Sequence, residues 1–75
     1  MVTAFVLITT ETGKEKDVLE RLKAIDAVDE AWTVYGDYDI IAKIKTDNMD
    51  HLNELILTKL RGVSNVSMTT TLIGL

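Results

Sequence analysis

The chain has 75 residues, with 8 basic and 12 acidic side chains, a formal net charge of −4, and neither cysteine nor proline. That is one domain at most. It excludes disulfides and thiolate-held zinc or iron–sulfur sites, leaves one histidine for any metal cluster, and opposes nucleic-acid binding, which draws on basic neutralisation of phosphate.

Apolar runs of about five residues are too short to span a membrane. The start, Met1-Val2-Thr3-Ala4-Phe5, lacks the basic region of a secretory signal, so a cytoplasmic location is expected. Residues 2–10 are β-branched and aromatic and read as a first strand. Thr12, followed three residues later by Glu15, has the form of a capping box, in which each side chain satisfies an orphan backbone N–H. Val18, Leu19, Leu22 and Ile25 then recur on one stripe, with Glu15, Lys16, Glu20, Arg21 and Lys23 off it, which predicts an amphipathic helix over 13–25.

Val28 to Tyr35 reads as a second strand and Tyr38 to Thr46 as a third. Gly36-Asp37 between them suits a two-residue type II′ hairpin, because glycine tolerates the positive φ required there. Asp47 is placed to cap a second helix whose Met49, Leu52, Leu55, Ile56 and Leu60 form an apolar stripe. Lys59 and Arg61 fall in its last turn, favourable to the helix dipole, and Gly62 reads as a left-handed residue just past its end. Val63 to Leu75 is threonine-rich and β-branched, a final strand.

The order β-α-β-β-α-β predicts an α+β, ferredoxin-like plan: a four-stranded antiparallel sheet with two helices on one face. Such a sheet should be apolar on one face and polar on the other. This sequence departs from that rule. In strand one, Val2, Ala4, Val6 and Ile8 oppose Phe5 and Leu7; in strand three, Ile40, Ala42 and Ile44 oppose Ile41. In strand four, Val63, Ile73 and Leu75 oppose Val66, Met68 and Leu72. A core this small ends near energetic break-even when alone. Packing a second copy sheet against sheet, with about 800 Å² hidden per partner, would cover the surplus apolar face, so a homodimer able to associate further is expected. The plain alternative is a monomer with scattered exposed apolar residues.

Most catalytic patterns are absent. Gly13-Lys14 lacks the upstream glycine and the following Ser/Thr of a Walker loop, and no G-x-G-x-x-G, G-x-S-x-G or H-E-x-x-H occurs. No enzyme activity and no cofactor are expected. His51 can be read as an acid–base group or, more simply, as a solvent-facing helical residue. The segment Tyr35-Gly36-Asp37-Tyr38-Asp39 gathers two aromatics, a glycine and two carboxylates at one hairpin tip. The glycine leaves backbone N–H groups open to an anion, the carboxylates accept from an ammonium, and the tyrosines offer a wall with a polar end. Strand four adds the hydroxyls of Ser67, Thr69, Thr70 and Thr71. Together they would suit a zwitterion; ordinary turn chemistry and strand preference also account for the same residues.

The whole pattern, with Tyr-Gly-Asp-Tyr-Asp entering Ile40-Ile41-Ala42-Lys43 and Thr69-Thr70-Thr71-Leu72-Ile73 at the end, resembles the effector-binding domain of the Lrp/AsnC regulators over essentially all 75 residues. That domain is called RAM, for regulation of amino acid metabolism. The resemblance implies one effector-binding and oligomerisation domain over 1–75, paired through its sheet, with dimers assembled into rings, commonly octamers. It further implies an amino acid or similar small effector at the contact between dimers, held by the glycine hairpin of one subunit and last-strand residues of a neighbour. Carried over residue by residue, it implicates Tyr35, Gly36, Asp37, Tyr38 and Asp39, with Thr69, Thr70 and Thr71. Family regulators carry an N-terminal helix-turn-helix domain, whereas this chain starts at strand one. It therefore resembles a stand-alone module that would act through partners, such as full-length Lrp/AsnC regulators, without binding an operator directly.

Three other classes share the topology. An ACT-like module would place an amino acid near the first strand-to-helix turn, Thr10-Glu11-Thr12-Gly13. A small dimeric α+β-barrel enzyme, monooxygenase-like, would have only His51 or Trp32 to serve as its polar group. An RNA-recognition fold needs aromatic rows beside basic residues, and Phe5 and Tyr38 on a chain of net charge −4 supply these poorly.

Overall fold

The computed structural model describes residues 1–74. Its elements are β1 (Val2–Thr10), α1 (Glu15–Lys23), β2 (Val28–Thr33), β3 (Ile40–Thr46), α2 (Met49–Leu55) continued by a π-helical turn (Ile56–Leu60), and β4 (Val66–Ile73). The strands form one sheet in the order β2-β3-β1-β4 with every neighbouring pair antiparallel, as expected.

Alternation along the strands builds the core. Ala4, Val6 and Ile8 of β1 and Ile40, Ala42 and Ile44 of β3 are fully buried, and Val28 and Ala31 of β2 join them. Val18 and Leu22 of α1 and Leu52, Leu55 and Leu60 of the second helix pack onto that same face. Among the described residues, no helix covers the opposite face. There Phe5, Leu7 and Ile41 are half-buried, and Trp32, Met68 and Leu72 are 43%, 65% and 52% exposed. The register aligns them, with Phe5 opposite Leu72 and Ile41 between Leu7 and Trp32.

Several local expectations are corrected. The capping box does not form: Lys14 occupies the cap position, and Glu15 begins the helix instead of standing three residues into it. Its Oε1 accepts the N–H of Gly13 at 3.2 Å, a residue at φ 80°, and Thr12 takes no part. Asn48, not Asp47, caps α2, its Oδ1 accepting the His51 N–H at 2.9 Å. Met49 is 43% exposed and leaves the stripe. Gly62 is not left-handed; the positive φ falls on Asn65, at 72°. A Cβ on Gly62 would lie 3.0 Å from the Thr58 carbonyl oxygen, so a side chain there would require the turn to give by a few tenths of an ångström.

The π-helical turn explains how Leu60 reaches the core. In a continuing α-helix Leu60 would sit about 80° around the axis from Leu52. Widening the turn, with the Arg61 N–H bonded to the Ile56 carbonyl at 3.1 Å, brings Leu60 back over the sheet, where it is fully buried. The Thr58 hydroxyl donates to the Glu54 carbonyl at 2.6 Å.

In β4 the register passes from Thr9–Met68 to Thr10–Val66, skipping Ser67. That bulge turns Val66 onto the helix side, so it joins Ile73 in facing inward instead of opposing it. Val63 precedes the strand, and the expectation for Leu75 lies outside the described residues.

Removing the observed cap should cost more than removing the expected one. We expect Asn48→Ala to lose about 1 kcal/mol of stability in urea unfolding and Asp47→Ala to lose little. The reverse order would assign the cap to Asp47.

Candidate functional site

The hairpin between β2 and β3 is wider than the two-residue turn expected for Gly36-Asp37. Strand pairing ends at Thr33 and Ile40, and the Val34 N–H closes the loop on the Asp39 carbonyl at 2.9 Å. The widening follows from what Asp39 does. Its N–H donates to the Ile8 carbonyl at 2.9 Å, and its Oδ2 accepts the Thr10 N–H at 2.8 Å and the Thr10 hydroxyl at 3.4 Å. Asp39 thus fastens the loop to the end of β1, leaving Tyr35, Gly36, Asp37 and Tyr38 as the free tip.

Gly36 has φ 120°, and a Cβ built on it meets nothing within 4 Å. Tyr35 and Asp37 are exposed. The N–H groups of Tyr35, Gly36, Asp37 and Tyr38 have no hydrogen-bond partner among the described residues. An unpaired run of amides around a left-handed residue is suited to receiving an anionic oxygen.

Tyr38 turns back over the sheet, half-buried, and its hydroxyl lies 3.3 Å from Thr70 Oγ1. This pairing spans from the loop to β4 across the open face, since Thr70 stands opposite Leu7. Thr69 and Thr71 stand opposite Ile8 and Val6 and so share the inward phase of β4. Of the eight expected residues, the fold brings Tyr38 and Thr70 into contact and keeps Tyr35 to Asp39 contiguous. Thr69 instead lines an open cleft of about 430 Å³ along the β4 edge with Arg61, Val66, Ser67 and Met68.

Tyr35 and Asp39 also line a larger cleft, about 610 Å³, on the helix side of the loop, with Glu15, Lys16, Leu19, Thr33 and Val34. The α1 residues were invisible as site residues in the sequence. Helical periodicity identifies a charged face and an apolar stripe, but only the turn-back of the loop at Asp39 shows which of them it meets.

The Lrp/AsnC ligand-binding domain family model matches residues 3–75. An uncharacterised helix-turn-helix-type transcriptional regulator of Pyrococcus furiosus is 32% identical over 75 residues, 96% of this chain and 50% of that protein. The helix-turn-helix-type transcriptional regulator FL11 of the same organism is 34% identical over 74 residues, 99% of this chain and 48% of that protein. The chain thus spans about half the length of the curated relatives it matches. Among solved structures, FFRP-DM1 superposes with a TM-score of 0.96 at 45% identity, covering 100% of both chains. A hypothetical protein of Pyrococcus horikoshii gives 0.95 at 45% identity, over 100% of this chain and 90% of that one. A feast or famine regulatory protein from M. tuberculosis, solved in complex with L-methionine, gives 0.86 at 26% identity, over 100% of this chain and 50% of that one.

Because Asp39 accepts a backbone N–H from Thr10, a residue only 7% exposed, Asp39→Ala should destabilise the fold by about 1–3 kcal/mol. Asp39→Asn keeps an acceptor there and should cost clearly less. Thermal unfolding of the two variants measures this; equal losses would mean that the hydrogen bond is not what matters.

Proposed function

The chain belongs to the Lrp/AsnC ligand-binding domain family, and on that premise we propose that it binds a free amino acid, or a small molecule with the same zwitterionic head, at its hairpin tip, where copies of the chain meet. The observation that carries this reading is the tip itself: the four consecutive amides from Tyr35 to Tyr38, unpaired among the described residues, with the carboxylates of Asp37 and Asp39 beside them. Amides of that kind receive a carboxylate, and the neighbouring carboxylates receive an ammonium, so one loop offers both halves of the complement. The L-methionine complex of the M. tuberculosis relative supports the ligand class.

The tip alone is one-sided, and a neighbouring copy would close it. In this proposal two chains pair through the uncovered sheet face, hiding Trp32, Met68 and Leu72, and such dimers associate further. Hydroxyls from the Thr69–Thr71 segment of a neighbour then complete the site. Ligand bound between copies stabilises one assembly over another by its difference in affinity for the two. The domain acts by binding and not by catalysis, in the cytoplasm. With a net charge of −4 it reaches a promoter through full-length helix-turn-helix relatives that share its contacts.

Calorimetry against the twenty amino acids, paired with light scattering, tests the proposal; the expected result is a hit that also changes the oligomer. Gly36→Val should abolish that binding, because a β-branched residue resists positive φ, while sedimentation stays that of the parent. Binding retained by the valine variant would exclude the hairpin. Asp39→Asn should weaken any ligand that carries an ammonium. Leu72→Glu, which sets a charge on the uncovered face opposite Phe5, should convert dimers to monomers at micromolar concentration. A parent chain that already sediments as a monomer would refute the sheet-to-sheet pairing.

A further inference from the structure

The cleft between α1 and the hairpin loop has three features that neither element has alone. First, its two carboxylates are each anchored through one oxygen only. Glu15 Oε1 accepts from the Gly13 N–H at 3.2 Å and Asp39 Oδ2 from the Thr10 N–H at 2.8 Å. The second oxygen of each has no partner among the described residues. They are held in position with an acceptor to spare. Second, Lys16 enters the same cleft and forms no ion pair among the described residues. Third, the remaining walls are apolar: Leu19 and Val34 are half-buried, and the Tyr35 ring stands beside them in solvent. At about 610 Å³ the cleft falls within the size range of small-molecule sites.

We propose that α1 supplies the part of the effector site that selects the ligand's side chain, and that the class selected is a neutral amino acid with an aliphatic or thioether side chain. This rests on the reading of the hairpin as the effector site. The ammonium is held between Glu15 and Asp39, and its carboxylate faces the Gly36 amides and Lys16. Its side chain lies on Leu19 and Val34, which gain by being removed from water. A ligand without a side chain leaves those two residues wet. An acidic ligand brings a second carboxylate towards Glu15 and Asp39, with only Lys16 to offset it, and is rejected. A basic ligand sets its distal cation against Lys16 or onto the apolar floor. Leu19 and Glu15 are thus specificity-determining residues, and the first is read from a helix that composition would assign to the core and the solvent.

The test is calorimetry on the full chain with five probes: L-leucine, L-methionine, glycine, L-lysine and L-aspartate. Leucine and methionine should bind about tenfold or more tightly than glycine, with aspartate weakest. Leu19→Ala should weaken leucine about tenfold and change glycine less than twofold. Glu15→Gln keeps the oxygen that Gly13 bonds and leaves the fold intact, so it should weaken leucine and glycine alike by several-fold. This second variant decides the matter if Leu19→Ala unfolds. Unchanged leucine binding in both variants, or lysine or glycine bound as tightly as leucine, overturns the inference while leaving the hairpin reading in place. Failure of all twenty amino acids to bind the parent chain overturns both.

Discussion

The alternation of side chains along β1 is the constraint on which the rest of the molecule depends. It is a central strand, bonded to β3 on one side and β4 on the other, so both its faces must be covered by something other than its neighbours. Ala4, Val6 and Ile8 meet the two helices and vanish from solvent. Phe5 and Leu7 point the other way, where no helix lies among the described residues. Two helices of this length can cover one face of a four-stranded sheet and no more. The surplus on the second face is therefore a property of the strand pattern itself.

The end of β1 also positions the candidate site. Thr10 is the last inward residue of the strand, and its N–H would have no partner were it not for the Asp39 carboxylate. One hydrogen bond across 29 residues of sequence thus decides where the hairpin stops pairing and where its tip is left free. It brings Asp39 over the first turns of α1, and it directs Tyr38 back towards Thr70 on the uncovered face. The carboxylate that satisfies Thr10 thus belongs to a residue that also lines the cleft.

The differences between expectation and structure have a common physical origin. Spacing alone offers Thr12 and Glu15 as a capping box. The left-handed Gly13 and the bond from the Lys14 N–H to the Glu11 carbonyl, 3.0 Å, delay the helix until Glu15 is its first residue. Asp47 and Asn48 are chemically near-equal caps, and the extended backbone of Asn48, at φ −155° and ψ 174°, settles which one is used. The β4 bulge at Ser67 and the π turn at 56–60 each shift a periodic pattern by a fraction of its repeat. Both serve burial, of Val66 and Leu60, and neither leaves a mark in the local sequence.

By itself the sequence determined the order of the six elements, the two opposing sets of side chains along strands one and three, and the presence of apolar residues on both sides of the sheet. These follow from periods of two and about 3.6 residues, which are local and survive any error at the boundaries. It also marked the tip residues Tyr35 to Asp39, because glycine beside acids and aromatics is a local signal. Only the tertiary structure decided how wide the hairpin is, which threonine meets Tyr38, and that Glu15, Lys16 and Leu19 share a cleft with Asp39. Those facts rest on hydrogen bonds and packing between residues far apart in the chain, and no periodicity encodes the distance between them.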